Sequence, residues 1–151
     1  MQSEIAEHKA EELTGGNAFA VHNFLEVEHV EEDYAVFKLK VRPESKNPFG
    51  FVHGGLLAGM ADNAAGYAAH SDGRTYVTQS SHMNYLRNQA EGVIRAAGRV
   101  LHRGRTVCLV RVDILGEGST VLATGEVSYF CVDPDALEKR MEQSEKTGKP
   151  I

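Results

Sequence analysis

The chain has 151 residues, 42% of them apolar, which suits one domain with a full core. Its net charge is −5, and no Lys/Arg cluster is long enough to make nucleic acid the expected partner. No apolar run reaches membrane-spanning length, and the polar, acidic start Met1-Gln-Ser-Glu-Ile-Ala-Glu-His does not read as a secretory signal. A cytoplasmic protein with no membrane partner is therefore expected.

Residues 1–16 read as a short amphipathic helix stopped by Gly15-Gly16, within a helical extension over 1–20. Phe24–Val30 and Tyr34–Val41 read as strands joined at Glu31-Glu32-Asp33; in the second, Ala35, Phe37, Leu39 and Val41 alternate with Val36, Lys38 and Lys40. A Pro/Gly loop, Arg42–Val52, leads to a helix over 53–69 that stops at Ser71-Asp72-Gly73. Four more strands follow with no helix between them: Thr75–Leu86, Gly92–Leu101, Thr106–Leu115 and Thr120–Val132. Residues 133–151 are a charged tail with at most a frayed helix, so the domain proper is 21–132. Cys108 and Cys131 lie in strand-like segments without C-x-x-C spacing and read as reduced core residues.

The helix carries most of the information. Asp62 shares its face with Gly55, Ala58, Gly59, Ala65, Gly66 and Ala69, while Leu56, Leu57, Met60 and Tyr67 take the other side. A glycine inside a helix costs about 1 kcal/mol relative to Ala. Two of them beside one carboxylate imply a close approach by substrate, a second helix, or both. The order strand, strand, long apolar helix, four strands predicts an α+β domain, an antiparallel β-sheet wrapped around one long central α-helix. The large face suits the chain's own sheet, and the small face is left for another subunit.

This layout, with Asn47-Pro-Phe-Gly-Phe-Val-His53-Gly-Gly at the helix start and Ala61-Asp62-Asn63 within it, resembles the hotdog-fold acyl-CoA thioesterases. Thr78, followed by Asn84-Tyr85-Leu86-Arg87, is similar to the phenylacetyl-CoA thioesterase (PaaI-like) branch; Gln79-Ser-Ser-His82 between them departs from it. The resemblance implies an acyl-CoA substrate of aryl or short-to-medium acyl chain and no separate cofactor. It assigns Asp62 as general base or nucleophile, Asn47 and the Gly54 amide as donors to the thioester carbonyl, and Thr78 as the residue that orients the water or the carboxylate. Two other hotdog readings stay open: an acyl dehydratase or hydratase, and a non-catalytic acyl-CoA binding or sensing module.

The residue chemistry is compatible with these roles and with plainer ones. A helix N-terminus offers free amides and a positive dipole end, which Gly54 and Gly55 leave unobstructed; a tight turn that only Gly fits is the alternative. A mid-helix carboxylate is costly to bury unless it is paired or used, so Asp62 is either the reacting group or a structural hydrogen-bonding one. Asn47 is extended by the following proline and reaches the helix start or forms a turn. His53 caps the helix start in preference to acting as a base. Arg87, Arg103 and Arg105, at turns, are candidates for the coenzyme A phosphates or ordinary solvated charges. Seven histidines without H-x-x-x-H spacing predict no metal.

Spacing adds one constraint. Gly54 and Asp62 are eight residues apart, about 12 Å along one helix, too far to touch one carbonyl. If both serve one thioester they come from two chains, which predicts a homodimer with antiparallel helices; a dimer of dimers is a further expectation that the spacing does not decide.

Overall fold

The computed structural model of the chain describes residues 14–150; the helix expected over 1–16 falls almost wholly outside them. Helix α1 (Ala18–His22) begins at Asn17, whose Oδ1 accepts from the Ala20 amide at 3.0 Å. Then come β1 (Leu25–Glu31), β2 (Tyr34–Lys40), α2 (Gly54–His70), β3 (Thr75–Tyr85), β4 (Val93–Arg103), β5 (Val107–Leu115), β6 (Val121–Val132) and α3 (Pro134–Thr147). The six strands form one antiparallel sheet in the order β1-β2-β4-β5-β6-β3, and α2 touches every one of them. This is the hotdog arrangement.

The helix is held by a stripe of mostly small residues. Leu57, Met60, Ala61, Ala64, Ala65, Ala68 and Ala69 are buried, facing a core that includes Phe37, Leu39, Ile94, Val112 and Ile114. Alanines let helix and sheet come close. At Gly98 in β4 an added Cβ would lie 2.8 Å from the Ala64 carbonyl oxygen, below any normal contact distance.

The expected division of the helix into a large and a small face is therefore corrected. Ala65 and Ala69, read as sharing the Asp62 face, belong to the core. The chain itself makes the close approach at Gly59, where a Cβ would sit 3.0 Å from Cζ of Phe19; one on Gly66 would make only ordinary contact, 3.5 Å from the Tyr129 hydroxyl. Gly55, Ala58 and Asp62 remain as the less covered stripe. On the large side Leu57 and Met60 are buried, and Tyr67 packs edge-on against Phe37 with ring centres 4.8 Å apart.

Strand β3 ends the sheet and pairs only with β6. Its register shifts between Thr78 and Ser80, which leaves Gln79 as an unpaired bulge residue. Before the bulge, Tyr76 and Thr78 face the helix side with Cys131 and Tyr129; after it, Ser81 and Met83 do so with Val127 and Gly125. The segment read as a charged tail is instead a 14-residue helix, capped by Asp133, started by Pro134 and ended at Gly148 with φ +66°.

The Gly98 contact yields a stability prediction. Gly98→Ala should destabilise the fold by ~1–3 kcal/mol through overpacking against backbone that cannot swing aside. Urea unfolding of the variant beside wild type measures it; equal midpoints would show that the helix can retreat freely.

Candidate active site

Asp62 is half-buried midway along α2. Its Oδ1 accepts two side-chain hydrogen bonds, from Thr78 Oγ1 at 2.9 Å and from the Tyr129 hydroxyl at 2.7 Å. The Tyr129 hydroxyl also lies 2.7 Å from the Asp62 main-chain oxygen. Oδ2 has no hydrogen-bond partner among the described residues. Sheet pairing explains the convergence, because Thr78 and Tyr129 stand opposite each other on β3 and β6. Tyr129 is 2% exposed. Burial, reinforced by the Asp62 charge and hydrogen bond, pushes its phenol far above the usual tyrosine range, so it keeps its proton and donates.

Sequence reasoning named Asp62 and Thr78 but missed Tyr129. The only signal for Tyr129 is its place in the inward set Val127, Tyr129, Cys131 of β6. That set identifies a core position and does not say which helix residue it meets.

At the other end of the site, His53 is the N-cap of α2. Its Nδ1 accepts from the Gly55 amide at 2.9 Å, so Nε2 carries the ring hydrogen when the imidazole is neutral. The His53 carbonyl accepts from the Leu56 and Leu57 amides at 3.0 and 3.1 Å. Among the first four amides of the helix only that of Gly54 has no partner among the described residues. Gly55, expected to offer a free amide to substrate, instead gives it to His53.

Asn47 stands in the loop before the helix. Its Oδ1 accepts from the Phe49 and Phe51 amides at 2.9 and 3.2 Å. The turn therefore fixes the side-chain amide and leaves its Nδ2 hydrogens without a partner among the described residues. One chain thus assembles two candidate half-sites: Asp62, Thr78 and Tyr129 at mid-helix, and Asn47 with Gly54 at the helix start. They remain separated by the ~12 Å rise between Gly54 and Asp62.

The three arginines part company. Arg103 closes the far end of α2: Nη1 donates to the Ala69 carbonyl at 2.8 Å, Nη2 to that of Ala68 at 3.2 Å and to Asp33 Oδ1 at 2.7 Å. Nη1 also lies 2.9 Å from Asp72 Oδ2 and from the Tyr76 hydroxyl. These bonds occupy the guanidinium, which corrects its reading as a phosphate ligand. Burial pushes the Asp72 carboxyl up, but hydrogen bonds from Arg74 and Tyr76 and the Arg103 charge outweigh it and hold the group far below the usual carboxylate range. Burial, then the Asp72 bond, pushes Tyr76 up to about 12. Arg87 and Arg105 are exposed, and no described residue pairs with their guanidinium groups.

Elsewhere, a cavity of about 540 Å³ opens beside β1, β2 and β4, with Phe24, Lys38, Lys40, Arg42 and Arg95 in its wall. It contains no residue of either half-site, and Lys38 and Arg95 are paired with Glu26 and Glu28 at 3.4 and 2.7 Å. Among the described residues no group of three or more His, Cys, Asp or Glu side chains is placed to hold a metal. No helix among them is long and apolar enough to cross a membrane.

Comparison with known proteins agrees with the fold and the helix motif. A thioesterase superfamily model matches residues 49–123. A Mycobacterium tuberculosis protein named as a candidate esterase is 32% identical over 101 residues, 63% of this chain and 72% of that one. The acyl-coenzyme A thioesterase PaaI of Escherichia coli is 26% identical over 100 residues, 66% of this chain and 71% of that one. The structure of a mutant of the phenylacetic acid degradation protein PaaI from Thermus thermophilus superposes with a TM-score of 0.73 at 26% identity, covering 77% of this chain and 100% of the other. The chain belongs to the thioesterase superfamily, as a hydrolase acting on thioester bonds. Within that family it is a PaaI-like member.

Arg103 can be separated from substrate binding by experiment. Arg103→Met should lower the unfolding free energy by ~2–4 kcal/mol, because two carboxylates and two helix carbonyls lose a common donor. It should leave KM for an acyl-CoA within about twofold. Since the Asp72 pKa is depressed in the folded state, wild-type stability from this clamp is complete above the ordinary Asp value near ~3.9. It fades as pH falls through the lower folded value; because Arg74 and Tyr76 lower the carboxyl more than Arg103 does, the variant should keep most of this acid limb and flatten it only slightly. A large KM rise with unchanged melting would restore the phosphate role.

Proposed function

We propose that the protein hydrolyses an aryl- or short-to-medium-chain acyl-CoA to the free acid and coenzyme A, with Asp62 as the reacting carboxylate. The observation that carries the reading is the asymmetry at Asp62: Oδ1 is held by two donors, and Oδ2 has no partner among the described residues. A positioned carboxylate with one free oxygen suits activation of water or direct attack on a thioester carbonyl. In either role the C–S bond breaks, water supplies the hydroxyl of the acid, and a proton returns to the thiolate. The acyl class is suggested by PaaI, which in Thermus thermophilus is named for phenylacetic acid degradation.

The donors to the developing oxyanion are the Gly54 amide and Asn47 Nδ2 of a second copy of the chain. Three features support a homodimer. The two half-sites of one chain are separated by the length of helix between them. The stripe Gly55, Ala58, Asp62 is only partly covered. Strand β3 is an 11-residue edge with no Asp, Glu, Lys, Arg or Pro to blunt it, so its outer backbone is ready to pair with its own copy. Arg87 and Arg105 are the remaining candidates for the coenzyme A phosphates.

Two experiments test these assignments. Asp62→Asn should fold normally and lower kcat by at least ~10²-fold, the scale of losing a positioned base. It should be assayed across a panel of phenylacetyl-, benzoyl-, short- and medium-chain acyl-CoAs; near-normal turnover would reject Asp62. For the shared site, Asn47→Ala and Asp62→Ala proteins, each weak alone, should be unfolded and refolded as an equal mixture. With random pairing half the dimers are mixed, and one of the two sites in each is intact, so about a quarter of all sites regain activity. No recovery, with subunit exchange confirmed by mass, would place both residues in one chain's site.

A further inference from the structure

Tyr129 has one phenolic hydrogen and two acceptors at the same distance: Asp62 Oδ1 and the Asp62 main-chain oxygen, each at 2.7 Å. A single hydrogen serves one of them at a time. The main-chain oxygen belongs to the interior of α2, where it also closes a helical turn, so it tolerates either arrangement. The carboxylate does not. While charged it is the stronger acceptor and draws the hydrogen; once its charge is discharged it accepts more weakly.

We propose that Tyr129 is a positioning residue for thioester hydrolysis: its hydroxyl hydrogen sits on Asp62 Oδ1 while the carboxylate is charged and turns to the Asp62 carbonyl when that charge is lost. Together with Thr78 it reserves Oδ1 for the protein and leaves Oδ2 as the reacting oxygen. The inference rests on Asp62 being the reacting carboxylate and holds whether the charge is lost by protonation or by acylation.

The surroundings fit such a device. The ring is buried, and its hydroxyl is not crowded from the helix side, since even a Cβ on Gly66 would make only ordinary contact with it at 3.5 Å. Only the hydroxyl hydrogen has to rotate, so the carboxylate keeps its aim through the cycle with no side chain moving. The phenol does not compete as an acid, because burial and the neighbouring negative charge both keep it protonated.

The test is Tyr129→Phe, which keeps the ring against Gly66 and removes only the hydroxyl. Expected is a fall in kcat of about 10- to 100-fold with KM within about twofold. In an Asp62→Asn background the same change should cost no further activity, because the two residues act as a unit. A role limited to packing would lower melting temperature and leave kcat. Wild-type kcat in Tyr129→Phe, with Asp62→Asn inactive, overturns the Tyr129 proposal alone. An active Asp62→Asn overturns the proposed reaction itself. A second measurement needs no Tyr129 variant. In protein labelled with [ζ-¹³C]tyrosine, one of the five tyrosine signals should move when Asp62 becomes Asn. Five unmoved signals would overturn the contact.

Discussion

The distance between α2 and its sheet governs everything else in this molecule. A carboxylate on a helix sheathed by strands is held only if those strands come within hydrogen-bonding reach, and here reach depends on small residues on both sides. The alanine stripe from Ala61 to Ala69 and Gly98 on β4 set that distance. At this separation Thr78 and Tyr129 meet Asp62 at 2.9 and 2.7 Å. With bulkier residues in the stripe the sheet would stand off, and the same three side chains would face one another across water. The cost of Gly and Ala in packing energy is thus tied directly to the geometry of the site.

The two ends of the helix are treated in opposite ways. At its start His53 satisfies the Gly55, Leu56 and Leu57 amides, and that of Gly54 has no partner among the described residues. At its end Arg103 and Ser71 take up the Ala68 and Ala69 carbonyls. The positive end of the helix dipole is therefore available to a negative group, while the negative end is neutralised by a guanidinium. That polarity favours an anionic intermediate at the helix start. It also explains why an arginine that looked free in a turn is fully engaged.

Much of this was legible in the sequence. The bounds of the six strands and of α2 fall within two residues of expectation because the period-2 strands and the Gly/Ala helix are strongly patterned. Asp62 stood out because a charge on an apolar helix conflicts with its surroundings. What the sequence hides is register. Tyr129 looks like any inward tyrosine until β6 is laid beside β3, and Arg103 like any turn arginine until β4 brings it to the end of α2. Gly59 signals a close approach and Phe19 makes one, while Gly66 has only ordinary contact with Tyr129; a local pattern does not say whether the approaching group is a side chain of the same chain or another chain. In α3 the Asp133-Pro134 start and the Gly148 stop are local helix-boundary signals that a reading by charge alone passes over.

The bulge at Gln79 divides one strand into two stretches whose side chains alternate out of phase. The first, ending at Thr78, is bonded to Asp62 directly through the Thr78 hydroxyl. The second, from Ser81 onward, presents its own inward set and carries no bond to the helix carboxylate. An extra residue in a ladder thus works as a joint. A change of side chain past Gln79 would act on a stretch whose phase is set separately from that of Thr78, so the half of the strand that meets Asp62 and the half beyond it can be tuned apart within one β-strand.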